Sequence, residues 1–469
     1  MATTASVIES GDQNLDALLS GIRWGTLSLT FSFPESSSHY GSSYVGGEPK
    51  NGFLPLNEAQ STAARNIFAM IASFTNLDLT EIQEDENNHA DVRLASANIS
   101  ASAWAYYPAE AEYGGDAWFR ASSSSFADVR AGSYGFYVFM HEIGHALGMK
   151  HGHEPYGFGA LAPEQDSMEY SVMTYRSYVG AAGTIMENET WGYAQSLMMY
   201  DIAAVQHMYG ADFTTNSSNT VYRWNPLTGQ QFINGAGQAA PGGNRIFTTI
   251  WDGGGIDTYD FSNYTTGLEV DLRPGEWSSL TLAQTAQLGF LRFARGNIAN
   301  SLLYQGDLRS LIENAIGGSG SDIIIGNMIA NVLKGRGGPD RLSGLEGNDT
   351  LVGGAGMDTL LGGTGRDVFL FNTRPSRTTN LERLGDFSAV DDTIFLENAV
   401  FTKLGMPGRL PTSAFWAGPK AHDLSDRIIY NKVSGTLYYD ADGTGQAPQV
   451  LIGWLPKGLK ITAGDFWIT

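Results

Sequence analysis

A period of nine residues constrains this chain more than any other feature. Gly317, Gly326, Gly335, Gly344, Gly353 and Gly362 each open a unit, and Asp322, Asn331, Asp340, Asp349, Asp358 and Asp367 follow at the sixth position. Two residues later comes a large apolar side chain: Ile324, Leu333, Leu342, Leu351, Leu360 and Phe369. Nine residues supply one tight turn and one very short strand, so a unit buries its apolar side chain only by stacking on its neighbours. The pattern is that of the parallel β-roll repeat G-G-x-G-x-D-x-U-x, in which turn carbonyls and Asp carboxylates bind Ca²⁺.

The residues expected at calcium are Gly318, Gly320 and Asp322, then Gly335, Gly337 and Asp340, then Gly344, Gly347 and Asp349. Gly353, Gly354, Gly356 and Asp358, and Gly362, Gly363, Gly365 and Asp367, complete the set. Stacked carboxylates repel one another, so closure of the roll is expected to be coupled to ion binding. The unit Gly326–Lys334 carries Asn327, Ile329 and Asn331 where Gly, Gly and Asp are expected, which predicts a weak or missing ion site. An isolated unit precedes the array, with Asp252, Gly254 and Asp257 as candidate calcium ligands where the two halves meet.

Composition agrees with an ion-binding protein. The 469 residues hold 28 Lys and Arg against 49 Asp and Glu, a formal charge of −21, with 58 Gly and no Cys. Such a charge repels phosphate, so nucleic acid is not an expected partner. Without Cys there is neither a disulfide framework nor a thiolate zinc site. With 12% aromatic residues, generic disorder fits poorly. No apolar run reaches the roughly 18 residues that span a bilayer, so no stable membrane anchor is expected. Residues 1–19 lack a basic n-region and carry Glu9, Asp12 and Asp16, unlike a Sec signal peptide.

The first half reads differently. A short helix is expected near Asn14–Ile22 and a strand over Thr26–Phe33. An amphipathic helix is expected over about Asn57–Phe74, with Asn57 as N-cap. Strand-like pieces follow at Asp91–Leu94, Ser102–Tyr107 and Ala117–Phe119, then helices over about Ser133–Leu147 and Ser196–Met208. The expected fold class is α+β and multidomain. Residues 21–250 would form a catalytic domain with a twisted mixed sheet and helices, and residues 251–469 a calcium-binding β-roll domain. Asp386–Leu396 and Asp440–Gly443 are either further ion ligands or plain turns, turn chemistry being the simpler reading.

The chemistry is carried by His141-Glu142-Ile143-Gly144-His145-Ala146-Leu147-Gly148-Met149-Lys150-His151. His141 and His145, four apart on a helix, can grip one metal, and Glu142 can hydrogen-bond a water at that metal. Gly148 permits a sharp turn that returns His151 as a third nitrogen ligand. Three neutral imidazoles suit one Zn²⁺ and leave a coordination position open, the arrangement of a catalytic site. A lone His on such a helix is more often a packed core residue. With 8 His and 58 Gly in the chain, this whole motif arises by chance with a probability on the order of 10⁻⁵.

Downstream, Ser171-Val172-Met173-Thr174-Tyr175 has the form of a Met-turn. Met173 would form an apolar floor beneath the imidazoles, and Tyr175 could act as an extra ligand or as a donor to an oxyanion. A substrate lying along an edge strand would be met by Ser102, Ala103, Trp104, Ala105 and Tyr106 through β-augmentation. His153, two residues beyond the third imidazole, is expected to face solvent.

Taken together, the extended zinc motif, the Met-turn and the six nonapeptides resemble the serralysins, secreted bacterial metzincin peptidases with a calcium-binding RTX β-roll. The resemblance implies an N-terminal zinc metallopeptidase domain, a short propeptide within residues 1–20, and cleavage of protein or peptide substrates at internal bonds. It also implies export to the extracellular medium by a type I (ABC) system that reads an uncleaved C-terminal signal. Asp465-Phe466-Trp467-Ile468-Thr469 is similar to such a signal. The chain is read as a monomer. The main alternative is a secreted binding module on the same scaffold, against which the intact Glu142 and three His weigh. Where many serralysins have a Pro soon after the third His, this chain has Gly152-His153-Glu154, so the loop bordering the cleft is its own.

Overall fold

In the computed structural model, residues 2–41, 44–85, 88–183, 185–376 and 378–469 are described. Met1, the first residue of the expected propeptide, lies outside them. Thr4–Ser6 forms an antiparallel ribbon with Ile22–Trp24. The helix expected near Asn14–Ile22 is only Gln13–Asp16, capped by the Asp12 side chain. The chain leaves it through a turn, Leu18 N bonding the Leu15 carbonyl and Leu19 N the Asp16 carbonyl, and Leu18 and Leu19 are fully buried.

A five-stranded sheet forms the first half, in the order Asp78–Glu81, Ser28–Ser32, Val92–Ala97, Ala117–Arg120, Ala103–Ala105. All neighbours are parallel except the last pair, where Trp104 faces Trp118 in an antiparallel register. The sheet is therefore mixed, and Ala103–Ala105 is an edge strand. The helix Glu58–Ala72 starts at a capping box between Asn57 and Gln60 and buries Ile67, Phe68 and Ile71. The helix Tyr134–Ala146 is capped by the Ser133 hydroxyl and buried over nearly its whole length. Phe119 stacks on its Phe139 at 3.9 Å, fixing helix to sheet. A further helix, Met199–Tyr209, closes this half.

One buried ion pair anchors the edge of the sheet. Arg93, on the strand Val92–Ala97, gives Asp116 two hydrogen bonds of 2.8 Å, from Nε and Nη2. Its guanidinium lies 4.3 Å from the Tyr40 ring. The Tyr44 hydroxyl donates to the same carboxylate and accepts from Trp118 Nε1. Asp116 immediately precedes the strand that carries the edge strand.

The second half is almost entirely sheet. Val332–Gly337, Thr350–Ala355 and Val368–Phe371 stack in parallel on one side, and Ile323–Ile325, Arg341–Glu346 and Thr359–Thr364 on the other. Partners are two units apart, Leu333 with Leu351 and Leu342 with Leu360, so the chain coils with two nine-residue units per turn. The six apolar side chains of the repeat are all fully buried between the two sheets. These sheets begin upstream of residue 251: Val221–Trp224 pairs in parallel with Thr258–Asp260. The halves also share a core, since Phe247, Trp251, Trp277, Leu288 and Ala299 pack into the same cluster as the helix Tyr134–Ala146. Among the described residues, no helix is long and apolar enough to cross a membrane.

Asp116→Ala would strand a buried guanidinium without its counter-ion. The expected cost is about 3–5 kcal/mol of stability, read as a fall in the urea midpoint of the first half. Asp116→Asn should cost less, because it keeps an acceptor.

Candidate metal centres

The helix Tyr134–Ala146 presents His141 and His145 on one face, and Gly148 ends it. Gly148 has φ +107°, and a side chain there would run into the Ile22 carbonyl. The turn returns His151 to the same point. The three Nε2 atoms lie 3.1 Å (His141–His145), 3.0 Å (His145–His151) and 3.2 Å (His141–His151) apart. Each remaining ring nitrogen is engaged. His141 Nδ1 donates to the Val172 carbonyl at 2.8 Å and His145 Nδ1 to the Met149 carbonyl at 2.7 Å. His151 Nδ1 lies 3.1 Å from Glu154 Oε1.

With Nδ1 committed as donor, every Nε2 keeps its lone pair toward the common point. Three lone pairs so close repel unless a cation lies among them, so the donor set fits a single small divalent metal. Burial, reinforced by the neighbouring imidazoles, pushes His141 down to about 3 and His145 well below its ordinary value, so both stay neutral and able to ligate. His151 is lowered too, chiefly by burial.

Glu142 is buried, and its Oε2 has no hydrogen-bond partner among the described residues. Burial raises its pKa to about 8 in the absence of a cation. The Tyr175 hydroxyl is 2.8 Å from His151 Nε2, and burial lifts it to about 12, so it remains a donor at neutral pH. Met173 is fully buried, and Gly144 makes room for it: a Cβ at Gly144 would lie 2.8 Å from the Met173 sulfur. Ala103–Ala105 borders the cleft beside His145 and Tyr175, with Ser102 and Tyr106 flanking it.

Three supports carry no sequence motif. Asp201 is fully buried and accepts from Ser171 Oγ (2.6 Å), Val172 N (2.7 Å) and Met198 N (2.9 Å). It thereby fixes the carbonyl that orients His141. Lys150 is fully buried, and its ammonium donates to the carbonyls of His151, Glu154 and Gly159. That contact pins the loop behind the third imidazole. Glu154 orients His151 and accepts from Tyr156 at 2.6 Å. The available signal was a lone Asp in an apolar helix. His153, expected in solvent, is half-buried with its ring 5.3 Å from His151 and 4.8 Å from Tyr175. An imidazole covers the aromatic faces there better than water does.

The coil holds a second kind of centre. Asp340, Asp349, Asp358 and Asp367 are buried, and each Oδ1 accepts a backbone N–H from the corresponding residue two units earlier, at 2.8–2.9 Å. Each Oδ2 is buried without a partner among the described residues. In each case Oδ2 points at the first glycine of its own unit: a Cβ at Gly335, Gly344, Gly353 or Gly362 would collide with it. Unpartnered carboxylate oxygens facing turn carbonyls fit hard divalent cations.

Asp322 differs, with both oxygens satisfied by Leu268 N and Gly318 N. In the degenerate unit amide groups fill the space, Asn331 Nδ2 donating to Glu313 O and Asn327 Nδ2 to Leu272 O and Ile312 O. Asp252 and Asp257 lie together, with Asp257 Oδ2 unpartnered and Asp257 N donating to Glu313 Oε2. Glu313 and the buried, unpartnered Glu382 escaped the repeat pattern because neither stands at its Asp position. Asp392 continues the ladder by accepting from Asp367 N at 3.0 Å, so Asp386–Leu396 is more than a turn.

Residues 211–404 match the family described as peptidase M10 serralysin C terminal. The chain is 32% identical over 323 residues to a metalloprotease AprA of Pseudomonas entomophila, covering 66% of this chain and 61% of that protein. It is 34% identical over 313 residues to serralysin B of Dickeya chrysanthemi, covering 63% and 58%. It is 31% identical over 331 residues to a serralysin of a Photorhabdus species, covering 65% and 60%. The chain thus spans less than two thirds of the length of these relatives.

The ladder predicts a pH dependence. Burial raises Asp340 to about 8, Asp349 to about 7 and Asp358 to about 6 when no cation is present. The folded state then holds protons that the unfolded chain has released. This contribution to stability is present in full below the unfolded value near 4 and is lost progressively up to the folded values. In EDTA the denaturation midpoint of the second half should fall between pH 5.5 and 8. A saturating divalent cation should raise it and flatten the dependence; a flat profile in EDTA would contradict the ladder.

Proposed function

From a chain homologous to the serralysins, we propose a secreted zinc-dependent endopeptidase of metzincin type, whose C-terminal calcium-binding β-roll serves folding and type I export. The observation that carries this reading is the convergence of three Nε2 lone pairs beside a buried, unpartnered carboxylate. His141, His145 and His151 would hold the zinc, which when bound supplies Lewis acidity to activate water and polarise the scissile carbonyl.

Glu142, whose Oε2 has no competing partner, accepts the proton of the attacking water and passes it to the leaving amine. The Tyr175 hydroxyl, a donor at neutral pH, stabilises the oxyanion. Met173 and Gly144 keep the floor apolar and dry. The ladder from Asp340 to Asp367, with Asp252 and Asp257 upstream, would hold several calcium ions.

Substrate orientation follows from the edge strand. A peptide added antiparallel to Ala103–Ala105 runs from Ala105 toward Ser102. It passes first a small recess of about 170 Å³ beside His151 and Glu154, then a cavity of about 650 Å³ beside His141 and Glu142. The larger cavity is lined by Tyr134, Tyr137, Val138, Ile185, Met186 and Tyr193. It therefore takes the residue after the scissile bond, and its lining selects a large apolar side chain.

Three outcomes test the reading. Purified protein should contain one zinc per chain and hydrolyse casein until chelated. Glu142→Ala should keep its zinc and lose at least about 10²-fold in turnover; near-normal turnover would remove Glu142 as the base. In a peptide-library digest, cuts should precede Phe, Leu, Met or Tyr. A charged residue there should lower kcat/KM about tenfold or more.

A further inference from the structure

The hairpin formed by Gln287–Gly289 and Arg292–Phe293 belongs to the second half in sequence but is docked on the first. Its Leu288 is fully buried in the core shared with the helix Tyr134–Ala146. Gln287 exchanges backbone contacts with Glu189, donating to Glu189 Oε1 and accepting from Glu189 N, both at 2.9 Å. The Arg292 guanidinium lies 5.6 Å from the Tyr178 ring. Tyr178 and Glu189 flank Ile185 and Met186, which form one wall of the larger cavity beside Glu142. The hairpin is thus fixed to the rim of the cleft, on the side that receives chain downstream of the scissile bond.

Its tip breaks two local rules at once. The register pairs Gly289 with Arg292, leaving Phe290 and Leu291 as the two turn residues. Such turns favour Asn, Asp and Gly, yet here Leu291 adopts φ +54°. Both side chains face solvent, Phe290 at 85% and Leu291 at 72% exposure, and Phe293 behind them is 43% exposed. Ile185, on the cavity wall, is 78% exposed. Apolar side chains held outward on a rigid, strained turn mark a binding surface.

We propose that this tip is a substrate-holding site for an extended, apolar segment of an unfolded protein, lying C-terminal to the bond being cut. The proposal rests on the peptidase reading for its direction, and the occupant follows from continuity. Gly289, at the foot of the turn, packs against Tyr178 and Glu187, a Cβ there falling 2.7 Å and 3.2 Å from them, and Glu187 follows Met186 of the cavity wall, so Phe290 and Leu291 extend that wall with apolar surface. A peptide ending within the cavity never reaches the tip.

The test replaces the tip with residues the turn itself prefers, Phe290→Asn with Leu291→Gly, so that the hairpin is retained. On denatured casein kcat/KM should fall about fivefold to tenfold, mainly through KM, while a peptide of about six residues is cut as by the wild type. Equal effects on both substrates, or none on either, would overturn the proposal. Binding supplies a readout independent of turnover. In a Glu142→Ala background, a fluorescein-labelled apolar peptide of about twenty residues should bind about fivefold more weakly when the tip is replaced; unchanged affinity would also overturn it. A chain that cuts neither substrate but binds the long peptide through the tip would refute the peptidase reading and leave the surface standing.

Discussion

The first half of the molecule is organised around two short hydrogen bonds that lie outside the point where three Nε2 atoms meet. His141 Nδ1 to the Val172 carbonyl and His145 Nδ1 to the Met149 carbonyl decide which ring nitrogen carries the proton. Were either tautomer reversed, an N–H would point into the centre and the site could hold no cation. The carbonyls are in turn immobilised, Val172 by the buried Asp201 and Met149 by the sharp turn at Gly148. A three-residue constellation therefore needs the last helix, the Met173 turn and the N-terminal ribbon to be in place. The whole first half acts as the outer support of three imidazoles.

The second half solves the opposite problem. There the protein accumulates like charges at close spacing instead of neutral donors. Each carboxylate of the ladder uses one oxygen to bind the backbone two units back and leaves the other bare. One side chain thus sets the coil's register and keeps a carboxylate oxygen free at the turn. In the degenerate unit the Asp position carries an amide, Asn331, whose Nδ2 reaches a carbonyl directly, as does that of Asn327 at a glycine position. The coil thus opens with two units whose contacts are complete in the polypeptide, those of Asp322 and Asn331, and continues with four whose carboxylates keep one oxygen unpartnered among the described residues.

How much of this could be read from the chain depends on range. The imidazole trio is local, eleven residues from first to last, and helical geometry with one glycine dictates its convergence. The coil is periodic, so its inward side chains from Ile324 to Phe369 followed from spacing alone, and all are buried. What escaped detection is neither local nor periodic. Asp201 acts across thirty residues, Glu313 answers Asp257 across fifty-six, and Glu382 reaches the ladder from beyond the repeats. Lys150 carries no signal of its burial, because nothing in its neighbourhood announces the three carbonyls that enclose it. The strands from Val221 onward are too short to show alternation, so the sheets of the second half start earlier than composition suggested.

The junction between the halves matters for more than connection. Phe247, Trp277 and Leu288 place residues of the second half inside the core of the first, and Arg245 pairs with Glu189 at 2.6 Å across the same seam. Glu189 also receives Gln287, so one carboxylate links the seam, the hairpin and the wall of the larger cavity. Loss of order in the coil's first turns would withdraw part of that core, and the cavity wall would loosen with it.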